Sequence, residues 1–161
     1  MSNRGEGQGP DVPLSEAERA KIIARLIHRF MLTIISEGMR DDRLDPIDHV
    51  LALVIGTANL SHIDSNPESS RQNAGRVEPD DMRQGVSRGT IARTLSMPAE
   101  TVRRRLNSLI EAKILIERDD GIILAAGNPL GIGASQELWN FHARQFERLL
   151  RELRLRGVTF D

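Results

Sequence analysis

Asp119-Asp120-Gly121 sits between two short apolar runs, residues 114–117 and 122–125, and commits that point of the chain to a tight β-hairpin. Glycine accepts the positive φ that such a turn requires, so an Asp-Gly pair flanked by apolar residues is a strong hairpin signal. Around it the patterning is helical. Ser15 opens a first helix with a capping box: its hydroxyl accepts from the Glu18 N–H while the Glu18 carboxylate reaches back. Ala20, Ile23, Ile27, Phe30 and Ile34 follow, widened by Ile22, Leu26, Met31 and Ile35, to a stop near Gly38. Asp45-Pro46 starts a second helix, with proline at the first helical position where its missing N–H costs nothing. This helix is apolar almost all round through Val50, Leu51, Leu53, Val54 and Ile55, which predicts a central core helix ending near Ser61.

Two further helices lead directly into the hairpin. Ser87 caps a short one carrying Ile91 and Leu95, Ser96-Met97-Pro98 forms a turn, and a longer helix runs to about Ala112 on a stripe of Val102, Leu106, Leu109 and Ile110. Ser135 caps a last helix on which Trp139, His142, Phe146, Leu149, Leu150 and Leu153 recur at spacings of three and four. The expected organisation is a disordered tail over 1–14, a helical core and dimerisation region over 15–63, and a flexible connection over 64–85. A winged helix-turn-helix follows over 86–126, then a loop and C-terminal helix over 127–161. The fold class is mainly α, with a β-hairpin wing and with N- and C-terminal helices available for dimerisation. The polar stretch 64–84 holds two prolines and lacks periodicity, and allows a short helical turn near Pro79.

Charge is distributed unevenly. The chain is net −1, yet residues 86–113 carry six cations against two anions, whereas 1–85 and 114–161 are net −4 and −1. A local basic patch attracts phosphate whatever the average. Glu100, Arg103 and Arg104 lie at i, i+3 and i+4 and project from one helix face, opposite Val102, Leu106 and Leu109. A helix fits the major groove, where arginine donates twice to guanine and a carboxylate accepts from cytosine. The bland alternative is a solvated face with Glu100 and Arg104 paired.

The ungapped stretch VSRGTIARTLSMPAETVRRRL, residues 86–106, with its Glu100-Thr101-Val102-x-Arg104 signature, resembles the helix-turn-helix of the cyclic-AMP-receptor/fumarate-nitrate-regulator superfamily. The resemblance implies base reading by Glu100, Arg103 and Arg104, and a phosphate contact by Arg88. Ser87, Thr101, Arg105 and, on the wing, Arg118 join Arg88 as candidates for the DNA backbone. Nothing upstream resembles that superfamily's cyclic-nucleotide domain, so no effector is carried over. Ser96 stands where the superfamily has glycine, at a turn position where positive φ costs a non-glycine residue about 1 kcal/mol.

The remaining features narrow the classes. With no cysteine, disulfides, thiolate zinc sites and cysteine nucleophiles are excluded. Aromatic residues make up 3%, which argues against the stacking platforms of single-strand binders. His28, His49, His62 and His142 are scattered without metal-ligand spacing, and no phosphate loop or EF-hand survives inspection. The expectation is therefore a cytoplasmic, non-enzymatic transcriptional regulator without cofactor, metal or membrane partner. It would bind double-stranded DNA as a homodimer, placing two recognition helices ~34 Å apart; an unidentified small-molecule effector stays open. The alternatives are a winged-helix protein-interaction adaptor and a small-molecule-binding helical protein with an incidental motif.

Overall fold

The computed structural model describes residues 13–40 and 44–160. The chain is mainly helical with one small antiparallel sheet. Its elements are α1 (Glu16–Gly38), α2 (Pro46–Asp64), α3 (Pro67–Asn73), a 3-10 turn (Asp80–Met82), α4 (Arg88–Thr94), α5 (Ala99–Glu111), β1 (Leu115–Arg118), β2 (Gly121–Leu124) and α6 (Gln136–Arg154). No helix among the described residues is long and apolar enough to cross a membrane. The expected tail 1–14 falls almost wholly outside the described residues.

The chain forms two compact units, one from residues 1–36 and 139–161 and the other from 37–138. The division differs from the sequence reading, which grouped the second helix with the first. α2 belongs instead to the unit that contains the hairpin, because its all-round apolar surface fills that unit's centre. Leu51, Ala52 and Ile55 of α2 pack with Ile91, Val102, Leu106, Leu109, Leu115, Ile122 and Leu124 in one buried cluster.

Asp45 caps α2 as expected, accepting from the Ile47 N–H at 2.9 Å. β1 and β2 pair with Arg118 opposite Gly121, so Asp119 and Asp120 alone form the turn. Val86 adds a single bridge to Ile122, extending the hairpin by one rung just before α4. The connection expected to be flexible over 64–85 carries α3 and the 3-10 turn, and several side chains fasten it. Asn66 caps α3. Buried Arg83 donates to the carbonyls of Glu78 and Leu124. Asn59 of α2, fully buried, donates to Gln84 O at 2.6 Å and Ile122 O at 3.1 Å and accepts from Leu124 N at 2.8 Å.

In the other unit, α1 and α6 run antiparallel. Arg19 reaches Thr159 O, Arg29 faces Glu152, and Phe30 meets Phe146 edge-on at 6.4 Å. Ser15 and Glu18 make the reciprocal capping box, with Glu18 Oε2 2.9 Å from the Ser15 N–H. Leu26, Leu153 and Val158 form the buried core of this unit, flanked by Ile22, Ile23 and Leu149.

Three helices end in the same closure, in which a residue at positive φ turns the chain and two backbone bonds cross the last turn. α6 uses Gly157 (φ 72), with Val158 N donating to Leu153 O. α4 uses Ser96 (φ 51), with Met97 N donating to Ala92 O, and α5 uses Lys113 (φ 59), with Ile114 N donating to Leu109 O. Serine and lysine both carry a Cβ that this conformation resists. Lys113→Gly and Ser96→Gly are each expected to stabilise the unit by about 0.5–1 kcal/mol, after allowing for glycine's extra unfolded-state freedom. Thermal unfolding followed by circular dichroism checks this, and a fall in Tm for Lys113→Gly would contradict it.

Candidate nucleic-acid interface

The short helix α4 is held at its start by Ser87, whose hydroxyl accepts from Thr90 N at 3.1 Å and sits 3.0 Å from Thr90 Oγ1. Its closing turn at Ser96 aims the chain into α5, which begins after Pro98 without a side-chain cap. Val102, Leu106 and Leu109 point into the core and are at most 2% exposed. The opposite face of α5 therefore carries Glu100, Arg103 and Arg104 into solvent together.

Those three side chains are not equivalent. Arg103 grips Glu100 with two parallel bonds, Nε to Oε2 at 2.9 Å and Nη2 to Oε1 at 2.6 Å. The pair lowers the Glu100 pKa from its ordinary range and raises that of Arg103, chiefly through the hydrogen bonds they share. Arg104 is exposed and makes no hydrogen bond or ion pair among the described residues. Arg103, not Arg104, is thus the partner of Glu100, because the i,i+3 guanidinium lies flat against the carboxylate.

The candidates for the DNA backbone are placed differently from the expectation. Arg88 is half-buried and donates to both Glu117 oxygens at 3.1 and 3.0 Å and to Asn107 Oδ1 at 2.9 Å, tying α4 to β1 and α5. Arg105 donates to Asp45 at 3.0 Å and Asp48 at 2.9 Å, joining α5 to the start of α2. Arg118 pairs with Asp120 and donates to the carbonyls of Asp80 and Arg83, both at 2.7 Å. Arg88 and Arg105 lie beside carboxylates that the linear sequence does not reveal as neighbours, Arg118 lies beside one two residues along the chain, and all three act as ties inside the unit. Ser87 is occupied as a helix cap, and Thr101 is half-buried on α5.

The turn of the hairpin is anionic. Asp120 accepts from the Gly85 N–H at 2.8 Å as well as from Arg118, which holds its carboxyl down at about 2. Because the folded value lies below the ordinary 3.8, the stabilisation is complete above that pH and is lost only as pH falls toward about 2. Two exposed cations of the same unit were not singled out by the sequence reading. Arg93 on α4 donates to Thr90 Oγ1 at 3.1 Å, and Lys113 stands just past the end of α5. Both contribute to the positive charge of residues 86–113, and that tally was the signal available to find them. No cluster of three or more metal-ligating side chains occurs among the described residues.

No protein-family model, no curated protein and no solved structure matches this chain.

Proposed function

We propose that this chain is a sequence-specific, double-stranded DNA-binding transcriptional regulator that acts as a homodimer, in which α4, α5 and the β1–β2 hairpin serve as a winged helix-turn-helix. The observation that carries the reading is the shared exposure of Glu100, Arg103 and Arg104 on the outer face of α5, with Arg104 uncommitted. A helix of this width enters the major groove, and arginines near its N-terminus reach base edges. Arg104 is the primary base reader. Arg103 and Glu100 must exchange their mutual bonds for bonds to bases, so they contribute discrimination more than affinity.

The first test is duplex binding across a salt series, since neutralising phosphates makes affinity fall steeply as salt rises. Arg104→Ala is expected to lower the ratio of specific to random-duplex affinity by roughly 5- to 150-fold, equivalent to about 1–3 kcal/mol. Equal loss on specific and random DNA would instead assign Arg104 to the phosphate backbone. A second reading, a winged-helix protein-interaction adaptor without DNA binding, is favoured by one observation. Arg88, Arg105 and Arg118, the cations best suited to phosphates, are all engaged internally. A flat salt response with random and selected duplexes alike would decide for the adaptor.

A further inference from the structure

The two units carry opposite charge. The described residues of the α1–α6 unit, 13–36 and 139–160, hold eight arginines and Lys21 against four glutamates, a net of +5. Residues 37–138 hold twelve cations and sixteen anions, a net of −4. A positive excess larger than that of residues 86–113 therefore lies in a unit to which base reading by α5 gives no task. We infer that the exposed strip Arg144-Arg148-Arg151 of α6 holds the phosphate backbone of duplex DNA.

The three arginines are separated by four and three residues, and fall within about 60° of arc along about 10 Å of helix. Leu153, the buried residue of α6, is nine positions beyond Arg144 and so lies about half a turn away. The strip accordingly faces solvent, and all three side chains are exposed. None of them makes a hydrogen bond or ion pair among the described residues. A merely solvated helix face alternates in sign, as Glu100 with Arg103 and Glu152 with Arg156 do in this chain. Here like charges are helical neighbours, an arrangement that destabilises a helix until an anion covers it. Glu152, at one edge of the strip, is already taken by Arg29 and Arg156. Glu147, at the other edge, pairs with none of the three. Arg29 and Arg148 line one groove between the helices, and Arg25 and Lys21 continue the α1 edge at four-residue intervals.

The chemistry of the strip selects its occupant. Eight of the unit's nine cations are arginines, whose planar fork binds phosphate through two bonds at once. The strip presents no aromatic ring on which the bases of a single strand could stack. Leu149 and Leu153, which would have to enter a lipid surface, pack on α1 instead. A duplex, with one negative charge per about 1.7 Å of its axis, complements a rigid row of positive charge. The inference goes beyond base reading by α5 and shares with it only the duplex.

The test is binding of the full chain to a random-sequence duplex across a salt series. Replacing Arg144, Arg148 and Arg151 together by glutamine should flatten log affinity against log salt by about 0.9 per lost phosphate contact, or roughly 2 to 3 for each bound chain. At about 0.1 M salt the affinity should fall about a hundredfold, equally on random and selected duplexes. The same three positions as lysine keep their charge and should retain most of the slope. Arg71→Gln, at an exposed arginine of the acidic unit, should leave the slope unchanged. An unchanged slope in the glutamine variant overturns the proposal, as does a slope that lysine fails to retain. It is overturned equally if the glutamine variant loses binding to phosphatidylserine vesicles but not to duplexes. A specific-to-random ratio unmoved by Arg104→Ala, with the slope still lowered by the glutamines, sinks base reading and leaves the strip standing. Absence of duplex binding by the unaltered chain sinks both.

Discussion

Asn59→Ala is expected to destabilise the hairpin-containing unit by about 3–4 kcal/mol, a large share of the 5–15 kcal/mol that holds a domain of this size. The side chain is wholly buried in α2 and makes three bonds, two as donor and one as acceptor, to backbone groups far away in sequence. Removing it leaves the Leu124 N–H without a partner in a dry interior, where such a group costs about 1–3 kcal/mol. It also takes one bond from the part-buried Gln84 carbonyl and leaves a side-chain-sized void. Ile122 O loses less, because it also accepts from Val86 N. The corresponding fall in Tm is on the order of 15 °C. The single tryptophan, Trp139, lies on α6 in the other unit, so far-UV circular dichroism is the appropriate probe. Asn59→Asp separates bonding from packing. It keeps the acceptor for Leu124 N but sets a carboxylate against two carbonyl oxygens, and it should be at least as damaging as alanine. A loss below about 1 kcal/mol for both variants would mean that water replaces the amide.

Gly121→Ala is expected to cost about 3 kcal/mol for an unrelated reason. Gly121 has φ +130, a region that residues with a Cβ rarely adopt. A Cβ there would also stand 2.8 Å from Val86 N and 2.9 Å from Gly85 C, both rigid backbone atoms. The two terms are roughly 1–3 kcal/mol each, strain and overpacking, offset slightly by reduced freedom in the unfolded chain. Gly127→Ala has open space around it and no positive φ, so it should change the denaturation midpoint little. If the two alanine variants unfold at the same denaturant concentration, close packing at Gly121 is not what fixes the hairpin.

Much of the local structure was legible because its determinants are local. The capping box at Ser15, the Asp45 cap, the hairpin around Asp119-Asp120 and the Val102-Leu106-Leu109 stripe each depend on residues within a few positions of one another, and each is present, although Gly121 opens β2 rather than sitting in the turn. The ties of residues 64–85 were not legible. Arg83 reaches a carbonyl 41 positions away and Asn59 has partners 25 to 65 positions away, and no periodicity announces a side chain that bonds to a distant carbonyl. The site divides the same way. That Glu100, Arg103 and Arg104 would emerge together follows from helical spacing alone. That Arg88, Arg105 and Arg118 would be drawn to Glu117, to Asp45 and Asp48, and to Asp120 required the tertiary fold for the first two. The third pair is only two residues apart, and its strand-end geometry was there to be noticed.

The interleaving of the two units has a consequence for biosynthesis. The unit spanning 37–138 is one unbroken length of chain, whereas α1 and α6 come from either side of it. As translation proceeds, α1 leaves the ribosome with an oily surface and waits for roughly a hundred further residues before its antiparallel mate exists. During that interval the intervening segment can close around Ile55 and Leu106 by itself. Nascent chains stalled with residue 138 just clear of the ribosomal exit tunnel, and the rest of α6 still inside it, should therefore contain a protease-resistant fragment matching the inserted unit, with the leading helix still open to chaperones.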